Sequence, residues 1–455
     1  MTHLVRVVCV LLGVWLVAPA WAHGAPRPRR LTLAQARALA RSDSHDIAIS
    51  RADVHQARAK RKATFHRYFP TLKITGNLLY WDSDLPFDIP TVQSSPDCPL
   101  PAGCLTLFTD LFAGLRIRER LTAQVSVRLI QPLTPLYSIH HLNRLNRLGV
   151  RVARTKLSAT RGQVRHNVTQ AYIQAYQAQV LSAIMRSAEA LVRAHTKRVK
   201  TLLAEDVVRR AELLRVQVKA AQVKQAILKA EAAVNLAKSN LARVMGLNIN
   251  TPLTLTERFR DPPPPYPLNL KQCTARAMRQ RSELHLTRLG AAQLRAGRKA
   301  TLGRLIPTVA AIAQFDANHG LGVVMPKTSF FVGAVLQWDF EWGRKIRQAD
   351  VLTARLNRVR AMDRKARSAI PLQVKKLFLD LRVARASLKV AKKAVRAAAE
   401  SHRIQTKRFE LRAGSSTDVL DAQMDLTRAK ASATNALYKY YLAKAALDRA
   451  MGVHK

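Results

Sequence analysis

Val164-Arg165-His166-Asn167-Val168-Thr169-Gln170-Ala171-Tyr172-Ile173-Gln174-Ala175 lies inside a stretch from Tyr137 to Gly246 that contains no proline. Its apolar and small residues recur at helical spacing: Val164, Val168, Ala171, Tyr172 and Ala175, continued by Leu181, Ile184, Met185, Ala188, Leu191, Val192, Val199 and Leu202. That is the i, i+3, i+4, i+7 stripe of a helix with one packed face. Arg, Lys, Gln and Asn fill most intervening positions, as a hydrated face requires. At about 1.5 Å per residue, a helix over 137–203 would be a rod about 100 Å long, well beyond ordinary globular helices. Ala204-Glu205-Asp206-Val207-Val208 then reads as a turn, with a second helix returning over 210–245.

The same stretch occurs twice. A shift of 206 residues lays Arg243-Val244-Met245-Gly246 on Arg449-Ala450-Met451-Gly452, and Ala211-Glu212-Leu213-Leu214 on Thr417-Asp418-Val419-Leu420. Apolar positions stay in phase through a turn and a terminal Met-Gly, which marks an internal duplication. The chain divides into a first structural repeat over 23–260, a proline-rich linker over 261–267 (Asp-Pro-Pro-Pro-Pro-Tyr-Pro) and a second repeat over 268–455. Successive prolines favour an extended linker. Leu31-Thr32-Leu33 opens a helix expected to run to about Tyr68 with Thr32 as its cap, and Leu268-Asn269-Leu270 opens its counterpart. Period-two alternation predicts strands over 72–81 and 121–133, and again over 308–318 and 328–340. Long helices over 343–410 and 417–452 close the second repeat, with Pro371 expected to kink the first of them. The first hairpin loop exceeds the second by about 31 residues, and repeats vary in length at exposed loops.

Composition sets the compartment. The 455 residues hold 76 Lys and Arg against 29 Asp and Glu, a net charge of +47. In a cytosolic protein that balance points to nucleic acid. Here Arg6, the apolar run Val7 to Val17 and Ala20-Trp21-Ala22 read as a secretory signal peptide over 1–22, so the mature chain is expected to be exported. The apolar run is too short to span a bilayer as a helix. Cys98 and Cys104 enclose Pro-Leu-Pro-Ala-Gly and are a candidate local disulfide in an oxidising compartment; two free thiols in a loop are the alternative. Cys273 lies in a helical pattern and reads as a small buried hydrophobe. His140-His141 lacks a third ligand, and Asn167-Val168-Thr169 fits a glycosylation pattern but falls inside the helical stripe. There is no phosphate loop, nucleophile elbow or zinc signature, so no enzyme, metal or cofactor is expected.

Each repeat is thus helix, two strands, very long helix, turn and returning helix. Two strands cannot protect their own edges, and four per chain hardly can. Strands of about ten residues with alternating polarity match those of outer-membrane barrels. The Leu-Thr-Leu opening, the Pro-Thr before each outward strand (Pro70-Thr71 and Pro307-Thr308), Gln131-Pro132-Leu133 and the stretch Arg412 to Gln423 all resemble the TolC family of outer-membrane efflux proteins. The fold class this implies is mainly α with a small β part: a homotrimer with a twelve-stranded β-barrel in the outer membrane, above a twelve-helix α-barrel in the periplasm. The partners it implies are a periplasmic adaptor, an inner-membrane pump and outer-membrane lipid, with no nucleic acid.

The resemblance also assigns residues. Asp418 and Asp421 match acidic residues that narrow the periplasmic aperture, and Glu212 matches a third in the first repeat. Phe409 stands where a tyrosine latch is expected, and Gly414 where an arginine is. Val207, Val208, Arg209 and Arg210, with Ala413, Gly414, Ser415, Ser416 and Thr417, are the tip residues expected to dock the adaptor. The bare residues leave another reading open, since Glu212 and Asp418 also suit the first turn of a helix, where acids oppose the macrodipole. The competing functional class is an exported basic helical protein that binds nucleic acid or another polyanion. It accounts for the charge and leaves the strands and the duplication unexplained.

Overall fold

A computed structural model of the chain describes residues 29–86, 115–257, 259–322 and 325–452. The signal peptide and the Cys98–Cys104 pair fall outside the described residues. The elements run in order β1 (Arg29–Leu31), α1 (Leu33–Asp43), α2 (His45–Phe65), β2 (Thr71–Tyr80), β3 (Leu85–Pro86), β4 (Arg116–Arg118), β5 (Leu121–Pro132), α3 (Pro135–Ala204) and α4 (Arg210–Met245). The second half follows with β6 (Leu253–Leu255), α5 (Leu270–Gln280), α6 (Ser282–Leu302), β7 (Thr308–His319), β8 (Thr328–Gln337), α7 (Arg344–Glu410) and α8 (Ser416–Ala450). The order helix, helix, strand, strand, long helix, helix therefore occurs twice. The chain is mainly helical with a small sheet part.

Local chemistry explains most boundaries. Thr32 and Gln35 form a capping box at α1: Gln35 N donates to Thr32 Oγ1 at 3.3 Å, and Thr32 N donates to Gln35 Oε1 at 2.9 Å. Asn269 and Gln272 do the same at α5, at 2.9 and 3.0 Å. The expected single helix up to Tyr68 is broken at Ser44, whose extended backbone (φ −63, ψ 124) separates α1 from α2. In the second half Arg281 breaks the chain in the same way between α5 and α6 (φ −64, ψ 128). A strong stripe on both sides conceals one residue of changed ψ. The repeated Met-Gly is a terminator: Gly246 and Gly452 take φ +83 and +73, a left-handed conformation that glycine adopts without a Cβ penalty. α3 is 70 residues long and α7 is 67, and α7 continues as one helix through Pro371.

Two compact units result. One comprises Met1–Asp43, Asn167–Pro264 and Leu388–Tyr438; the other comprises Ser44–His166, Pro265–Ser387 and Lys439–Lys455. In the first, β1 pairs in parallel with β6, and the fully buried Tyr172 of α3 sits beneath the pair. Its hydroxyl donates to Leu31 O at 2.8 Å and accepts from Glu257 N at 3.2 Å. In the second, Cys273, Ala277, Leu284, Val374, Tyr440 and Leu447 form a core, with Cys273 a buried free thiol. The proline-rich segment is tied down at both ends. Asp261 pairs with Lys392 in the first unit, and the Tyr266 hydroxyl donates to Asp448 Oδ1 at 2.7 Å in the second. Burial against that carboxylate pushes the Tyr266 phenol well above its ordinary pKa.

The second unit carries a four-stranded antiparallel sheet in the order β2-β5-β7-β8. The central pair joins the two halves of the chain, since β5 from the first lies against β7 from the second. β2 and β8 are its edges, and the sheet of one chain is open. β8 ends at Gln337, three residues before the predicted boundary, and Trp338, Phe340 and Trp342 follow in an edge-to-face series with ring centroids 6.1 and 5.3 Å apart.

Candidate functional site

Two places concentrate unusual chemistry: the faces of this sheet and the turns at the ends of the long helices. The register sorts side chains between the two faces. Leu72, Ile74 and Leu78 of β2 lie with Val125, Val127 and Leu129 of β5, Phe315 of β7 and Phe330 and Val332 of β8. Lys73, Thr75 and Asn77 lie on the opposite face with Gln124, Ser126, Arg128, Gln314 and Asp316. The apolar face is exposed, with Leu78 at 72%, Phe330 at 69% and Val332 at 69%; on the opposite face Lys73, Thr75, Asn77 and Arg128 are exposed as well. Gln314 and Asp316 on the polar face are buried. There Ser126 Oγ donates to Asp316 Oδ1 at 2.5 Å, and Gln314 Nε2 donates to both Asp316 oxygens at 2.8 and 2.9 Å. A soluble sheet hides its apolar face; this one is inside out, as a strand set facing lipid would be. Aromatics stand at both ends: Tyr80 and Trp81 at one, Phe69, Trp338 and Phe340 at the other.

The two helix turns close by the same hydrogen bonds, 206 residues apart. Glu205 N, Asp206 N and Val207 N donate to Thr201 O, Leu203 O and Leu202 O at 3.2, 3.1 and 2.8 Å. Leu411 N, Arg412 N and Ala413 N donate to Lys407 O, Phe409 O and Arg408 O at 3.0, 3.1 and 2.8 Å. This is a Schellman ending, and its left-handed position falls on Asp206 (φ +52) and Arg412 (φ +61). Gly414, the one glycine in either turn, is not that residue. Its place is set by close packing, since a Cβ there would lie 3.2 Å from Arg408 Cβ.

The predicted aperture residues are already engaged within the chain. Ser415 and Asp418 form a capping box at α8: Ser415 N donates to Asp418 Oδ2 at 3.1 Å, and Asp418 N donates to Ser415 Oγ at 3.2 Å. Those two bonds hold the Asp418 carboxyl below its ordinary pKa. Asp421 lies 3.5 Å from Lys219 Nζ of α4. Glu212 pairs with Arg215 at 3.4 Å, while its Oε2 is buried without a partner. Phe409 is buried within its own unit. It packs with Val192, Val199, Val216, Val419 and Leu420, and its ring lies 5.2 Å from that of His195.

Among the predicted docking residues, Val207, Arg209, Arg210, Ala413 and Ser415 are exposed, and Val208, Gly414 and Thr417 are half-buried. Ser416 differs from the other tip residues. It is 2% exposed, and its Oγ lies 2.8 Å from His195 Nε2, so it is spent inside the turn. Sequence reasoning missed His195 altogether. Its place three residues after Val192 and four before Val199 was the available signal. Burial, with Arg198 and His402 nearby, lowers the His195 pKa.

No group of three or more His, Cys, Asp or Glu residues among those described lies close enough to hold a metal ion. No described helix is long and apolar enough to cross a membrane.

Residues 275–453 match the family model described as outer membrane efflux protein. Over that part the chain resembles the outer membrane efflux protein family. Solved structures extend that likeness to nearly the whole chain. The CmeC outer membrane channel of Campylobacter jejuni matches at a TM-score of 0.76 with 13% identity, covering 92% of this chain and 85% of its own. VceC of Vibrio cholerae gives 0.71 with 14% identity over 92% and 96%, and the open state of the Neisseria gonorrhoeae MtrE channel gives 0.69 with 15% over 92% and 88%. At such identities the likeness is one of fold. A search of curated proteins finds no match. The outer membrane efflux protein model covers the sheet strands β7 and β8, the long helix α7 and the tip that opens α8.

Proposed function

We propose that this chain is the outer-membrane exit duct of a tripartite efflux pump or type I secretion system. Three copies would close their four-stranded sheets into a twelve-stranded barrel, with the long helices forming a periplasmic tunnel. Substrates pass through it passively, and an inner-membrane pump coupled through a periplasmic adaptor supplies the energy. The observation that carries this reading is the inside-out sheet. Its exposed apolar face and two unpaired edges are what lipid and neighbouring copies would cover. A polyanion-binding protein has no use for such a face.

On this reading the exposed tip residues Val207, Arg209, Arg210, Ala413 and Ser415 meet the adaptor, and Asp418 and Asp421 border the aperture. The test is single-channel conductance of the purified protein in a planar bilayer, comparing wild type with Asp418→Ala/Asp421→Ala. A small conductance that rises in the double variant supports duct and aperture together. A conductance that does not change keeps the duct and removes the acidic aperture. Folded protein that forms no channel overturns the duct.

A further inference from the structure

The polar face of the sheet carries a charge arrangement that strand pairing alone does not favour. Lys73 of β2 stands directly opposite Arg128 of β5. Like charges in that position destabilise an antiparallel pair. Both side chains are exposed. Arg128 is held by a neutral partner, its Nε donating to Gln314 Oε1 at 2.5 Å. The third charge among the four strands on this face is Asp316, which is buried and bound by Ser126 and Gln314. A solute passing this face would therefore meet two accessible cations and one sequestered carboxylate.

We infer that Lys73 and Arg128 form a cationic band on the solute-facing side of the sheet that favours anionic over cationic solutes. The inference rests on the duct reading, in which three copies bring six such cations around one lumen. Rings of charged side chains set ion preference in pores, and basic ones favour anions. The band lies on the strands, separate from the acidic residues at the helix tips. It gives a use to part of the chain's large positive charge that folding does not require.

The test measures reversal potential across a planar bilayer under a potassium chloride gradient. It compares wild type, Lys73→Gln and Lys73→Gln/Arg128→Gln, each first shown to be a folded oligomer in detergent. Each substitution removes one charge from each of the three copies and should shift the chloride-to-potassium permeability ratio toward potassium by at least about twofold, the size expected for a single charge acting across roughly a Debye length of water. The shift should shrink in concentrated salt. Conducting variants whose ratio stays at the wild-type value, or moves toward chloride, overturn the band while leaving the duct intact. If the double variant fails to assemble because Gln314 loses its partner, Lys73→Gln alone decides, since no partner among the described residues holds that side chain in place. Folded wild-type protein without conductance overturns the duct reading and the band with it.

Discussion

Tyr172 belongs to the stripe that identifies α3, yet its hydroxyl is what fixes the first unit. It joins the long helix to the carbonyl that ends β1 and to the amide that follows β6. Spacing marked this position as buried, but it could not name partners more than 80 residues away in sequence. Tyr172→Phe keeps the ring and removes the hydroxyl, leaving the Glu257 N–H without an acceptor. The expected loss is about 1–2 kcal/mol, read as a lower urea midpoint of the helical signal with the slope maintained. Asp206 and Arg412 show the opposite limit of sequence reading. Asp visits the left-handed conformation more readily than most residue types and Arg does not, and each is held there by the Schellman bonds around it. The strain of a Cβ in that conformation is about 1–2 kcal/mol, which the packed turn sustains twice.

At the scale of elements, period and phase were legible and neighbours were not. The alternation of β2, β5, β7 and β8 and the stripes of α3 and α7 follow from repeated contact with one surface, so spacing records them. Leu191, counted in the stripe, is 44% exposed, because a long helix in this unit meets its neighbour along a narrower seam than the pattern suggests. Phe409, expected at the aperture, and Ser416, expected at the docking tip, both lie against His195. Nothing local to residues 409–417 specifies a side chain more than 200 positions earlier. Asp418 is the informative case, since it caps α8 whether or not it also borders an opening. Asp418→Asn keeps a side-chain acceptor for Ser415 N and removes the charge; Asp418→Ala removes both. If the residue is only a cap, Asp418→Ala lowers hydrogen-exchange protection over 415–421 and Asp418→Asn leaves conductance at the wild-type value. If it also borders the aperture, both substitutions raise conductance, and only Asp418→Ala loosens the turn.

For the whole molecule, the inside-out sheet and the charge of +47 must be explained together. The lipid-facing assignment makes a sharp demand on Val332, which is 69% exposed in the middle of β8. Val332→Arg would cost little on a soluble surface. At the midplane of a bilayer it should cost about 2–4 kcal/mol, seen as impaired assembly in lipid vesicles with near-normal helix content. The charge raises a separate question, whether permanent positive charge suits the chain to acid. The histidines argue otherwise. His141, His166, His195 and His402 all have lowered pKa values, with burial the largest cause in each. Around His195 and His402 the nearby charges are also unfavourable to a second cation, with Arg198 against the one and Lys430 against the other. A base whose folded pKa lies below its unfolded value binds more protons when unfolded. Its contribution to stability is therefore complete above about pH 6.5 and is lost as pH falls from there through the folded pKa. Thermal melting of the detergent-solubilised protein should accordingly drop between pH 7.5 and 5. His195→Gln/His402→Gln should flatten that slope, because it leaves amides in place of groups that acid would charge inside a packed turn. A melting temperature that holds steady or rises over that interval would remove the histidines as a constraint and restore an acidic setting as the reason for the charge.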